Sequence, residues 1–101
     1  MEIRIAQEQA YKLTQDHAKI NNIEHNKEAT FFHLVEEIGE ISREIYNDKS
    51  KWRDELNKEN FKEEVADVLI QLLIFSEENN INLDSAFQDK ILILRKRFEL
   101  D

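Results

Sequence analysis

The chain contains no proline and only one glycine, Gly39, in 101 residues. Proline interrupts helices and glycine supplies most left-handed turns, so a chain without them lacks the usual punctuation of a turn-rich sheet protein. This scarcity predicts an all-α fold of long helices joined by polar segments. The length gives one domain, 1–101, with no room for a second. At this size folding buries roughly two thirds of the unfolded surface, so the core is expected to be modest.

Apolar periodicity divides the chain into four helical stretches. Ile3, Ala6, Ala10, Leu13, His17 and Ile20 recur at spacings of three and four, which marks one face of a helix. Asn21 and Asn22 weaken it, and a polar connection runs through Lys27. A second helix is expected over about Glu28 to Asn47, with Phe31, Leu34, Ile38, Ile41 and Ile45 on its inner stripe. Asp48 to Glu59 is polar apart from Trp52 and Leu56 and reads as a loop with up to one helical turn. Trp52 either anchors that loop or stacks on a base. A third helix opens at Asn60, whose side chain can cap it while Glu63 reaches back. Its body, Val65 to Phe75, is apolar nearly all round, as the central helix of a bundle must be. Asn79 to Asn82 break it. The last helix is expected over Asp84 to Phe98, with Phe87, Ile91, Leu94 and Phe98 on one stripe. The architecture is therefore a four-helix bundle. Three partners leave part of the third helix uncovered, so a homo-oligomer, dimer or tetramer, is expected to complete it.

The 36% of charged residues carries a net charge of −8, which disfavours binding to a nucleic-acid polymer. A small nucleotide is not excluded, because a bound cation can invert the local field. With no cysteine there is no disulfide, thiolate metal site or cysteine nucleophile. No apolar run is long enough to span a membrane and the opening MEIRIAQEQAYK has no signal-peptide core, so a cytoplasmic setting without a membrane partner is expected.

The chemistry lies in two acidic pairs. On the second helix Glu37 falls about 60° and Glu40 about 120° to the same side of Leu34, given 100° per residue. On the third helix Glu64 and Asp67 fall about 60° and 120° to one side of Phe61 by the same rotation. Two antiparallel helices can thus bring four carboxylates to one edge of the core. Asp67 interrupts an apolar stretch, where an unpaired charge is costly. Four such acids call for a hard cation, Mg²⁺ with Mn²⁺ as a substitute, and the absence of an E-x-x-H spacing disfavours zinc and iron. Glu36, Glu44 and Glu63 read as ordinary solvated acids. Gly39 costs about 1 kcal/mol against alanine in a helix and allows either close packing or access beside the acids. His33, one turn before Glu37, is either a neighbour of the site or a boundary histidine. His17 reads as core or interface.

Glu36-Glu37-Ile38-Gly39-Glu40, a gap of 23 residues (41 to 63), and Glu64-Val65-Ala66-Asp67 resemble the EExxE…ExxD signature of the MazG-like all-α nucleotide pyrophosphohydrolases. The surrounding LVEEIGEISREI and EEVADVLIQLLIF resemble that family's second and third helices, and the likeness runs from about Phe31 to Phe98. The resemblance implies Mg²⁺-dependent cleavage of a nucleoside triphosphate between its α- and β-phosphates, giving monophosphate and pyrophosphate, in a dimer or tetramer. It implies that Glu37, Glu40, Glu64 and Asp67 ligate the metal, with one carboxylate free to act as general base. Glu36 matches a motif acid but points away on the wheel, which leaves it and His33 as neighbours of the ligands. Lys90 and Arg97 match basic residues that meet the phosphates; they fit equally a solvated basic edge at a helix C-terminus. Many members carry an asparagine between these two positions, and Leu94 stands there in this chain, so no preferred substrate carries over. Two other readings remain open: a non-catalytic regulatory or scaffolding module with an acidic cation site, and a hydrolase of an alarmone or modified nucleotide.

Overall fold

The computed structural model describes residues 2–24, 26–49 and 58–100. It has four helices and, among the described residues, no strand: α1 (Ile3–Ile20), α2 (Lys27–Lys49), α3 (Lys58–Glu78) and α4 (Leu83–Arg97). The expected loop with Trp52 and Leu56 falls largely on 50–57, outside the described residues. No helix among them is long and apolar enough to cross a membrane.

Asparagine does much of the work that glycine does elsewhere. Asn22 and Asn80 take φ of 51° and 58°, the left-handed values that a short polar side chain tolerates. Each closes its helix with a paired cap: Ile23 N–H donates to the Ala18 carbonyl at 2.9 Å, and Ile81 N–H donates to the Ser76 carbonyl at 2.9 Å. Asn26 opens α2 by accepting from Ala29 N–H at 2.7 Å, and Asn82 opens α4 by accepting from Asp84 and Ser85 N–H. Asn60 is not the expected cap of α3. It lies inside the helix and donates from Nδ2 to Glu64 Oε1 at 2.9 Å.

α3 is central. α2 packs along one side of it and α1 along the other, as an all-round apolar helix requires. Ala10 from α1 meets Leu73 and Ile74 from α3, with Ile3, Ala6, Tyr11, Ile70 and Leu83 around them. On the other side, the rings of Phe31, near the start of α2, and Phe75, near the end of α3, lie 5.5 Å apart, as in an antiparallel pair. Among the described residues of α3 only Leu73, Ile74 and Ser76 are buried; within the stretch that reads as apolar nearly all round, Val65 and Leu72 are 48% and 40% exposed. Periodicity finds the apolar faces of a helix but not the neighbour that covers each.

α4 departs most from a closed bundle. It packs on α1, buries no residue of its own, and leaves Phe87, Ile91 and Phe98 exposed. The far half of α1 is likewise open, with Leu13 and Ile20 on the surface. The radius of gyration is 16.8 Å, against about 13 Å for a compact domain of this length. The molecule is a slab only 22 Å thick, about two helix diameters.

Candidate functional site

The acids sit on the α2–α3 pair. The pairing that sets Phe31 against Phe75 also sets Glu37 opposite Asp67 and Glu64, six residues further along α2 and two to three turns back along α3. Glu40, Asp67 and Glu64 all act on the Glu37 carboxyl. The Glu37 carboxyl is held above the ordinary carboxylate range, first by partial burial and then by the charge of Glu40. Asp67 adds its charge, Glu40 a side-chain hydrogen bond, and Glu64 a further charge. Glu64 is half-buried, and its Oε2 is fully buried with no hydrogen-bond partner among the described residues. Its Oε1 is held by Asn60, which fixes the plane of the carboxylate. A buried, unpartnered carboxylate oxygen beside other carboxylates is uncompensated charge, and a hard cation is the group that fits it.

The acids are not drawn to one point. Among the described residues no group of three or more His, Cys, Asp or Glu side chains is close enough to hold a metal ion. Magnesium commonly needs only one or two protein carboxylates beside water and phosphate oxygens. Asp67 is exposed, as are its apolar neighbours Val65 and Leu69.

The other expected residues divide. Glu36 is exposed and pairs with His33, whose Nδ1 lies 3.9 Å from Glu36 Oε2. Lys90 and Arg97 are exposed on α4, whose contacts are mainly with α1 and which reaches the Ala10–Leu73–Ile74 cluster only through Leu83 at its start. Gly39 does not mark a close approach within the chain: a Cβ built there meets nothing within 4 Å. Gly39→Ala is accordingly expected to raise stability by about 1 kcal/mol in a urea melt of the metal-free protein. A loss of stability instead would show that another surface needs that space.

A groove that the sequence did not single out adjoins the acids. It opens between α1 and α2 over α3, with a volume of about 500 Å³. His33 and Gln71 line it, one helical turn from Glu37 and Asp67 respectively. His17, Thr14, Asn26 and Ile70 complete much of the wall, so His17 is a groove residue and not core. Gln71, four residues beyond Asp67 on the same helix, was the available signal.

Residues 25–98 match the MazG nucleotide pyrophosphohydrolase domain, which takes in α2, α3 and α4 and leaves α1 outside. No curated protein and no solved structure matches the chain. The matched span carries both acidic pairs and covers well over half of the sequence: the chain belongs to the MazG nucleotide pyrophosphohydrolase family.

Proposed function

We propose that this chain hydrolyses a nucleoside triphosphate, ribo or deoxy, to the monophosphate and pyrophosphate with Mg²⁺, or Mn²⁺ in its place. The observation that carries the reading is the Glu37 carboxyl, on which Glu40, Asp67 and Glu64 all act across α2 and α3, together with the orphaned Oε2 of Glu64. Glu37, Glu40, Glu64 and Asp67 would hold the cation. When bound, such an ion neutralises phosphate charge and makes a bound water more acidic. Asn60 orients the Glu64 carboxylate. The adjoining groove, with an apolar floor at Ile70 and Ile74 and polar walls at His17, His33 and Gln71, suits the nucleoside end of the substrate.

The same reading makes the protein a homo-oligomer, a dimer or a tetramer. The chain exposes 8265 Å², whereas a compact monomer of 101 residues exposes about 6,000 Å². Phe31, Phe32, Val35 and Ile38 on α2 and Phe87, Ile91 and Leu92 on α4 are among the large apolar side chains left exposed. A second copy would cover such surface with chemistry the chain already has, and would bring the basic α4 of one copy to the acids of the other. Lys90 and Arg97 would then grip the phosphates.

The test is pyrophosphate release from a panel of canonical, modified and alarmone nucleotides, with and without Mg²⁺ or Mn²⁺. Monophosphate and pyrophosphate in equal amounts, only with metal, is the expected result, with a rise in melting temperature on adding Mg²⁺ alone. No turnover of any nucleotide with either metal would sink the enzyme reading. A thermal shift without turnover would favour a cation-binding module.

A further inference from the structure

Gln7 is a polar residue at a core position of α1, and it is 0% exposed. A buried amide is costly unless its donor and acceptor are both used. Gln7 uses both across the chain: Nε2 donates to the Ile81 carbonyl at 2.7 Å, and Oε1 accepts from Leu83 N–H at 2.9 Å. The second Nε2 hydrogen points to Glu77 Oε2 at 3.4 Å. Only one orientation of the amide satisfies this set, since the flipped group would oppose donor to donor and acceptor to acceptor.

Ile81 and Leu83 flank Asn82, the residue that caps α4. The first three N–H groups of α4 are therefore shared: Asn82 takes those of Asp84 and Ser85, and Gln7 takes that of Leu83 from another helix. Next to this clip, Arg4 makes a two-pronged contact with Glu77, Nη1 to Oε2 at 2.6 Å and Nη2 to Oε1 at 3.2 Å. α4 buries no residue, and apart from Leu83 at its start, which packs against the Ala10–Leu73–Ile74 cluster, its contacts are mainly with α1, so little else fixes the direction in which it leaves. Over its 15 residues, about 22 Å, a turn of about 10° at the start moves Arg97 by about 4 Å and Lys90 by about 2 Å.

We propose that Gln7 is a positioning residue: by clipping both sides of the α4 cap it sets the angle of α4, and so places Lys90 and Arg97 for the triphosphate. The placement for phosphate rests on the hydrolase reading above; the clip itself does not. Gln7, on α1, lies outside the residues that match the family, 25–98.

The chain has no cysteine, so Lys19→Cys and Lys96→Cys place spin labels on α1 and α4 of the full chain, diluted with unlabelled protein. Gln7→Leu, which keeps the bulk and loses both bonds, is expected to broaden and shift this distance by several ångströms. Gln7→Glu, which keeps the acceptor and loses the donor, should fall between. In unlabelled protein Gln7→Leu should raise KM about tenfold with kcat within about twofold, because ground-state binding is lost and the acids are not. A role limited to folding would instead lower the maximal rate through the folded fraction and leave KM alone. That outcome, or an unchanged distance in both variants, would overturn the proposal. Should neither variant fold, amide exchange in the wild type decides: Leu83 N–H should exchange more slowly than Asp84 and Ser85, and equal rates would remove the clip. If the wild type turns over no nucleotide, the hydrolase reading fails by itself, and the distances still decide whether Gln7 sets α4.

Discussion

Glu64→Gln should lower kcat/KM for pyrophosphate release at least about 100-fold while leaving the helical circular dichroism unchanged. Glutamine keeps the shape of glutamate, and its carbonyl can still accept from Asn60 as Glu64 Oε1 does. What it removes is the charge on the buried and unpartnered Oε2. The effect on stability should run the other way. Glu64 is one of the charges that hold Glu37 above its ordinary range, so without metal the variant relieves repulsion. Its metal-free melting temperature is expected to equal or exceed that of the wild type, and Mg²⁺ should no longer raise it. Retained activity would take Glu64 out of the site, and lost activity with lost helicity would make its role structural. A site that lowers the stability of its own empty form is common where function and packing compete.

Ile91→Asp on α4 should separate the oligomer. Ile91 is 42% exposed in the single chain, on the row with Phe87 that a second copy would cover. A carboxylate there must be desolvated at an apolar contact, which costs roughly 2 kcal/mol or more, or at least about thirtyfold in the Kd for assembly. Light scattering should then give the mass of one chain for the variant and a multiple of it for the wild type. Activity at micromolar protein should fall with assembly and return as concentration rises. A wild type that is already monomeric, or a variant that assembles unchanged, would refute the second-copy reading.

What the sequence disclosed follows from what is local. The acids at i and i+3 on α2 and α3 are set by helical rotation alone, so their common offset from the apolar face could be read without coordinates. The breaks at Asn21–Asn22 and Asn79–Asn82 were equally plain, because few residues other than glycine tolerate a left-handed turn. The direction of α4 was not legible. It depends on Gln7, which looks like any polar residue on an amphipathic helix and acts on backbone groups 74 and 76 residues away. The expected stripe Phe87, Ile91, Leu94 and Phe98 is present, but much of it faces solvent in the single chain. Asp67, which interrupts an apolar stretch in the sequence, is exposed in the single chain. An apolar face shows that something covers it and leaves open which helix, or which copy, does so.

The clip between α1 and the start of α4 also gives the molecule two levels of closure. The acids are assembled by α2 and α3, neighbours in the chain, whereas α4 is fastened by bonds that span most of it. Loop-closure entropy grows only with the logarithm of length, so the long tie costs within about 1 kcal/mol of what a shorter one would. Its weakness is mechanical: a few polar bonds and Leu83 hold a helix with no buried residue, and that is the kind of element that opens without global unfolding. The chain can therefore release its basic arm while the acidic hairpin stays folded, so the two charged halves of the proposed site open and close as separate cooperative units.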